Sequence, residues 1–359
     1  MDSIIGILRK DWLELLKKNK FKISFSKIPQ SLIITYLSGV NTKYKKREDA
    51  LYGQAIEQTP VSEPPLFILG HWRSGTTFLQ SILANDDRFA SPKIYECRNP
   101  HTFLVRQNVF EKRVNKMKGH KRPTDNVVLS INSPGEEEFA VAVMSLKSPL
   151  FGWMFPKNRN FYERYLTFDS VTGEETNQWE SAYMHFLKKL TFKYKKTLLL
   201  KSPVNTARVK HLIKLFPNAK FVHIHRHPYE VYRSTEKMYR TAVLTSSFQG
   251  NIHRDIQKDI LDHYKRMHQA YFRDRVLIPE EQLLEIRYQD LDQQPLNTVR
   301  LIYEKLNLPS FEVASNRIGA YLDSLKNYKK NEHPPLPEPL KAQIQKEWEQ
   351  SFSEWGYDY

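Results

Sequence analysis

At 359 residues, with 40% apolar and 13% aromatic side chains, the chain has ample material for the packed core of a globular protein. Lysine and arginine exceed aspartate and glutamate by 55 − 40 = 15, a balance that attracts anionic ligands, membrane surfaces or nucleic acid; nucleic acid is set aside because no helix-turn-helix, zinc-finger or aromatic RNA-binding pattern accompanies the charge. The single cysteine, Cys97, excludes an internal disulfide and a Cys/His zinc cluster, and with neither a spanning apolar tract of about 20 residues nor a signal-peptide layout after Met1-Asp2, a cytoplasmic protein is expected.

Residues 1–57 read as a helical, basic extension. Ile4, Ile5, Leu8, Trp12, Leu15 and Leu16 recur at spacings of three and four, with Lys and Arg opposite, which describes an amphipathic helix. Such a helix either packs against the main domain, the commoner fate, or lies peripherally on a membrane. A linker, TPVSEPP (59–65), precedes the strand Leu66–Leu69, and residues 58–359 are expected to form the remaining domain. A helix carrying Phe78, Leu79, Ile82 and Leu83 follows, and 88–135 reads as loops with short helices. Ser133-Pro-Gly-Glu136 has the form of an N-cap, a first-turn proline and a capping box, which predicts a helix from there to Met144. A helix also fits 175–189. TLLLK (197–201) and KFVHIHR (220–226) read as strands around a helix over 206–216, a βαβ unit that implies a parallel sheet. Pro228 opens a helix through Met238, LLEIRY (283–288) is another strand, Pro295–Leu306 is helical, and a Pro- and Lys-rich stretch, HPPLPEP (333–339), precedes a last helix. The expected fold class is α/β: a P-loop-like three-layer arrangement around a central parallel sheet, with helical appendages at both ends.

Chemistry concentrates in two places. Gly70-His-Trp-Arg-Ser-Gly75-Thr76-Thr77 is G-x-x-x-x-G-T-T between an apolar strand and a helix, the setting in which backbone N–H groups and a helix N-terminus cradle a phosphate. A nucleoside triphosphatase needs a loop lysine, where Thr76 stands, and a magnesium-binding Asp at a strand end, where Lys201 and His225-Arg226 stand. The expected ligand therefore carries a nucleotide 5′-phosphate but no triphosphate–magnesium unit. In the second place, Arg226 ends a strand and Ser234 follows on the next helix, together offering a second anion pocket at the carboxyl edge of the sheet. A salt-bridged strand-end arginine is the plain alternative, and the presence of two pockets on one crevice weighs against it.

FILGHWRSGTTFL (67–79), LLLKSP (198–203), FPNAKFVHIHRHPYEVYRS (216–234) and, more loosely, EIRYQDLDQQPLNTVRLIYEKLNLP (285–309) resemble the sulfotransferases that use 3′-phosphoadenosine 5′-phosphosulfate (PAPS), particularly a bacterial group with a FILGHxRSGTTxL loop. The resemblance implies that Arg73, Ser74, Gly75, Thr76 and Thr77 bind the 5′-phosphosulfate, that Arg226 and Ser234 bind the 3′-phosphate, and that no metal takes part.

Sulfuryl transfer asks for positive charge at the leaving phosphate, a base at the acceptor and an acceptor pocket. Lys201 resembles the family's KSP lysine and suits the first task. For the base, Glu96 resembles a family glutamate with a small offset; His101 stands second and Glu137 third, while Glu136 is already accounted for by the capping box. LFGWMF (150–155) and FYERYLTF (161–168) either wall an acceptor pocket against 88–120 or belong to the core. If they line a site, the small-molecule acceptor is an apolar alcohol, lipid- or sterol-like. The alternatives are a P-loop small-molecule kinase and a non-catalytic nucleotide-binding membrane adaptor.

Overall fold

The computed structural model describes residues 4–61, 63–114, 120–121, 128–250, 255–326 and 334–358. Two helices open the chain, α1 (Arg9–Lys18) and α2 (Ile28–Glu57). Strand β1 (Leu66–Leu69) then runs into the loop 70–75 and helix α3 (Thr76–Leu83). The remaining strands are β2 (Phe89–Ala90), β3 (His120–Lys121), β4 (Val128–Leu129), β5 (Thr197–Lys201), β6 (Lys220–His225) and β7 (Leu283–Arg287). Five of them make one sheet in the order β2-β5-β1-β6-β7, with parallel pairing throughout, while β3 and β4 form a small antiparallel pair.

All four residues of β1 are buried, as a strand covered by helices on both faces must be. Its Phe67 and Leu69 face one core with Leu198, Leu200 and Phe221; Leu66 and Ile68 face a second core with Leu199, Val222 and Ile224. This alternation makes a three-layer structure. From central β1 the chain passes to the β5 side, then crosses to β6, so β1 marks the point where strand order reverses. Ligand crevices lie at such points, outside the carboxyl ends of the strands.

The apolar stripe of α1 is not free. Ile4, Ile7, Trp12, Leu15 and Leu16 are buried in the same core cluster as Phe67 and Leu200, and Trp12 Nε1 donates to Thr35 Oγ1 of α2 at 2.9 Å. Ile5 and Leu8 are only half-buried. Several boundaries also move. The helix expected from Ser133 begins at Glu137, with Glu136 as its N-cap residue, because Pro134 bridges to Lys93 and Gly135 packs where an added Cβ would lie 2.8 Å from Cys97 Sγ. The helix expected over 206–216 is a 3₁₀ turn, Pro203–Ala207, followed by Val209–Leu215. The helix placed at 175–189 runs Gly173–Tyr194, capped by Thr172 and Glu175. Of the segment 333–339, His333 lies outside the described residues.

Candidate active site

The loop after β1 is shaped by backbone constraint. Gly70 and Gly75 have φ of 139° and 102°; an added Cβ would lie 2.4 Å from Ile224 O at Gly70 and 2.4 Å from Tyr288 Cδ2 at Gly75. Only glycine meets both demands. Arg73 also adopts a left-handed conformation, φ 73°, a strain that surrounding contacts must hold. Two of them do so: Arg73 Nε donates to Ser234 Oγ at 2.8 Å, and Arg226 Nη1 donates to Arg73 O at 3.4 Å. Gly70 N–H donates to Thr206 Oγ1 at 2.7 Å, tying the loop to the segment after β5.

The residues expected to hold a donor nucleotide thus meet at one edge of the sheet. Ser74, Gly75, Thr76 and Thr77 turn into the N-terminus of α3, whose unpaired N–H groups favour an anion. Arg226 follows β6, lies over the Tyr288 ring at 4.6 Å and donates to Glu230 at 3.3 Å; Glu230 also pairs with Arg233. Ser234 is buried on the helix Pro228–Met238, which starts with proline at its first position. A glycine-shaped loop, a helix N-terminus, hydroxyls and two arginines suit a nucleotide with phosphates at both ends. His71, inside the loop, adds no charge: it is buried against Tyr264 and His268, and burial holds its imidazole neutral, well below the usual histidine range.

Beside Thr77 lies Lys201, the last residue of β5. Its ammonium is buried, donates to Thr77 Oγ1 at 3.3 Å and pairs with Glu136. Glu136 keeps 20% of its side chain exposed, so it faces both the lysine and solvent. Glu137 turns the other way and is fully buried. Its carboxylate accepts from Asn205 Nδ2 (2.6 Å), Tyr183 OH (3.2 Å) and the backbone N–H of Lys201 (3.0 Å), while burial pushes its pKa up to about 7. Glu138 accepts from both terminal nitrogens of buried Arg208 and from Ser148 Oγ.

Glu96 and His101 sit elsewhere. Glu96 is buried, with Oε2 accepting from the Lys93 N–H at 2.6 Å and Oε1 from Lys193 (2.6 Å), Tyr194 (2.6 Å) and Tyr95 (3.1 Å). Those donors occupy both oxygens. His101 is buried near Lys189, the partner of Glu48 in α2; burial first and that lysine second hold it neutral, well below the usual histidine range.

Most of the aromatic stretches expected at an acceptor site are core. Phe151, Phe155, Tyr162, Tyr165 and Phe168 are buried, while Trp153 reaches the loop, its ring 5.4 Å from Trp72 and 6.2 Å from Tyr239. Trp72, Trp153, Met238, Tyr239, Ile260 and His263 pack with His71 and Thr235 beside the loop and leave no room for a water molecule between them. Residues 115–119 of the expected opposite wall lie outside the described residues. Two features were missed by sequence reasoning: Tyr288, which supports Arg226 and closes on Gly75, and the pairing of Glu136 with Lys201. The position of Tyr288 just after β7, beside the end of β6, was the available signal for the first.

Residues 64–312 match a family model described as "Sulfotransferase family". The chain is 32% identical over 354 residues to the omega-hydroxy-beta-dihydromenaquinone-9 sulfotransferase Stf3 of Mycobacterium tuberculosis and of Mycobacterium bovis, an alignment covering 99% of this chain and 91% of those proteins. Among solved structures it is similar to the sulfotransferases STF1 of Mycobacterium tuberculosis (TM-score 0.69, 16% identity, covering 95% of this chain and 91% of that one) and STF9 of Mycobacterium avium (TM-score 0.67, 17% identity, covering 99% and 97%).

Proposed function

The chain belongs to the sulfotransferase family and is a sulfuryl-transferring enzyme; from that premise, we propose that it transfers the sulfuryl group of PAPS to the hydroxyl of an apolar alcohol at the point where Lys201 and Glu136 meet Thr77. In this reading the loop N–H groups, the α3 N-terminus and Arg73 hold the 5′-phosphate, while Arg226 and Ser234 hold the 3′-phosphate. The Arg73–Ser234 hydrogen bond joins the two pockets.

The convergence of Lys201, Thr77 and Glu136 carries the mechanism. As the acceptor oxygen bonds to sulfur, the bond from sulfur to the bridging phosphate oxygen breaks and negative charge grows on that oxygen. The Lys201 ammonium, held at the strand end, neutralises it. The acceptor proton passes to Glu136, a carboxylate with access to both solvent and the lysine. Glu137 positions Lys201 through its backbone N–H, and Glu96 serves the local fold.

A relative whose name specifies an omega-hydroxylated dihydromenaquinone supports an apolar alcohol as the acceptor. The test is transfer of labelled sulfate from PAPS in detergent solution to a panel of long-chain prenyl and quinol alcohols and sugar alcohols. Label on the apolar alcohols supports the reading; label confined to sugars, or none, refutes it.

A further inference from the structure

The outward side of the N-terminal helices carries large apolar side chains in the open. Phe21, Phe25, Leu32 and Tyr36 are 61%, 89%, 64% and 72% exposed, and Ile28 and Ile33 accompany them. In α2, Ile28, Leu32 and Tyr36 recur every four residues and so form one stripe, while Ser31, Ile34 and Ser38 turn inward. This stripe is separate from the amphipathic face of α1, which the core consumes.

The charge along this part of the chain is predominantly positive. From Leu15 to Arg47 there is no aspartate or glutamate, and Lys17, Lys18, Lys20 and Lys22 stand exposed around Phe21 and Phe25. An apolar patch with a mainly basic rim, in which Glu14 pairs with Lys18, complements an anionic lipid surface, where aromatic and aliphatic tips enter the acyl boundary and lysines reach the headgroups. We propose that Phe21, Phe25, Ile28, Leu32, Ile33 and Tyr36 form a docking face that seats the enzyme on an anionic bilayer.

The face is tied to the site. Ser24 N–H donates to Phe248 O at 2.8 Å and Lys27 Nζ to Thr245 O at 3.1 Å; Phe248 N–H donates in turn to Met154 O at 2.8 Å, next to Trp153 of the aromatic cluster beside the loop.

The test is co-sedimentation of the full chain with phosphatidylglycerol/phosphatidylcholine vesicles and with pure phosphatidylcholine vesicles. Calorimetric binding of 3′-phosphoadenosine 5′-phosphate serves as the fold control. The wild type should bind the anionic vesicles, less so as salt rises. A Phe25→Ser/Leu32→Ser/Tyr36→Ser variant should lose at least about tenfold in partition while keeping its nucleotide affinity. Replacing Lys17, Lys20 and Lys22 with Gln should weaken binding to anionic vesicles only. Equal partition of the serine variant and the wild type overturns the proposal, as does failure of the wild type to bind anionic vesicles. A dimer that becomes monomeric in the serine variant, without vesicle binding, also overturns it and assigns the face to self-association. Sulfuryl transfer in detergent is read independently, so loss of docking and loss of the acceptor reading are distinguishable.

Discussion

Glu136, Glu137 and Glu138 are adjacent and chemically alike, yet the fold gives them three environments. Glu138 is buried against Arg208, Glu137 is clamped by Asn205, Tyr183 and the Lys201 N–H, and Glu136 reaches Lys201 with one side open. These differences predict different mutant phenotypes. Glu136→Gln should lower kcat by about 10²–10³ with nucleotide affinity unchanged, and Lys201→Ala should do the same by a comparable factor. Glu96→Gln should leave kcat of the folded enzyme intact and instead reduce thermal stability, since a neutral amide cannot match Lys193. Steady-state kinetics beside thermal melts separates the cases; a larger kcat loss in Glu96→Gln than in Glu136→Gln would reverse the assignment. At Gly75, alanine should cost donor binding outright, because its Cβ would clash with Tyr288 and the φ of 102° is unfavourable for any L side chain. Nucleotide affinity measured on Gly75→Ala checks this.

Among the elements, the helix Ile256–Asp274 is held to the rest of the fold through a buried carboxylate. Glu163 accepts from His263 at 3.2 Å and pairs with Arg159 and Arg266. Burial alone would raise its pKa, but the hydrogen bond and electrostatic pull of His263, with the Arg159 and Arg266 guanidiniums, outweigh burial and bring it down to about 2. A carboxylate depressed from 4.5 to about 2 gives stability that is fully present above pH 4.5 and is lost as pH falls toward 2, a contribution of about 3 kcal/mol. Denaturant melts should therefore show the wild type losing stability over that window, with Glu163→Gln less stable at neutral pH and flatter through it. Parallel slopes would contradict the linkage.

Legibility in the sequence divides along similar lines. β1, β5 and β6 were readable because buried parallel strands are nearly unbroken apolar runs, and the half-buried edge strand β7 by Leu283, Leu284 and Ile286; β2, only two residues long, left no such run. The loop was readable because its glycines and flanking elements are local. The false helix start at Ser133 obeyed a valid local rule that the Lys93–Pro134 bridge and the contact of Gly135 with Cys97 overrode. The role of Glu136 depends on Lys201, 65 residues away in the chain, and that kind of pairing exists only once the sheet has formed.

At the scale of the whole molecule, the N-terminal segment is part of the core and a source of outward surface at once. Ile4, Ile7, Trp12, Leu15 and Leu16 are nearly or fully buried, and at about 1.5–3 kcal/mol each their loss rivals the entire stability of a typical domain. A chain lacking residues 4–18 should show no cooperative unfolding transition by calorimetry; a folded, active truncation would show that the segment is dispensable. No helix of the described residues is long and apolar enough to cross a membrane. The proposed membrane contact is therefore a surface contact, made by α2 and the turn before it. The same whole-molecule view explains why the crevice is basic: Arg73, Arg226 and Lys201 come from three separate elements and gather at one edge of the sheet.

The most direct measurement is a calorimetric titration with 3′-phosphoadenosine 5′-phosphate, without magnesium, of the wild type, Arg226→Ala and Glu136→Gln. Tight binding by the wild type and Glu136→Gln, with loss of at least about tenfold in Arg226→Ala, is predicted from a 3′-phosphate pocket separate from the proton acceptor. Absence of binding by the wild type, or equal binding by Arg226→Ala, would contradict the placement of the donor across the loop and Arg226.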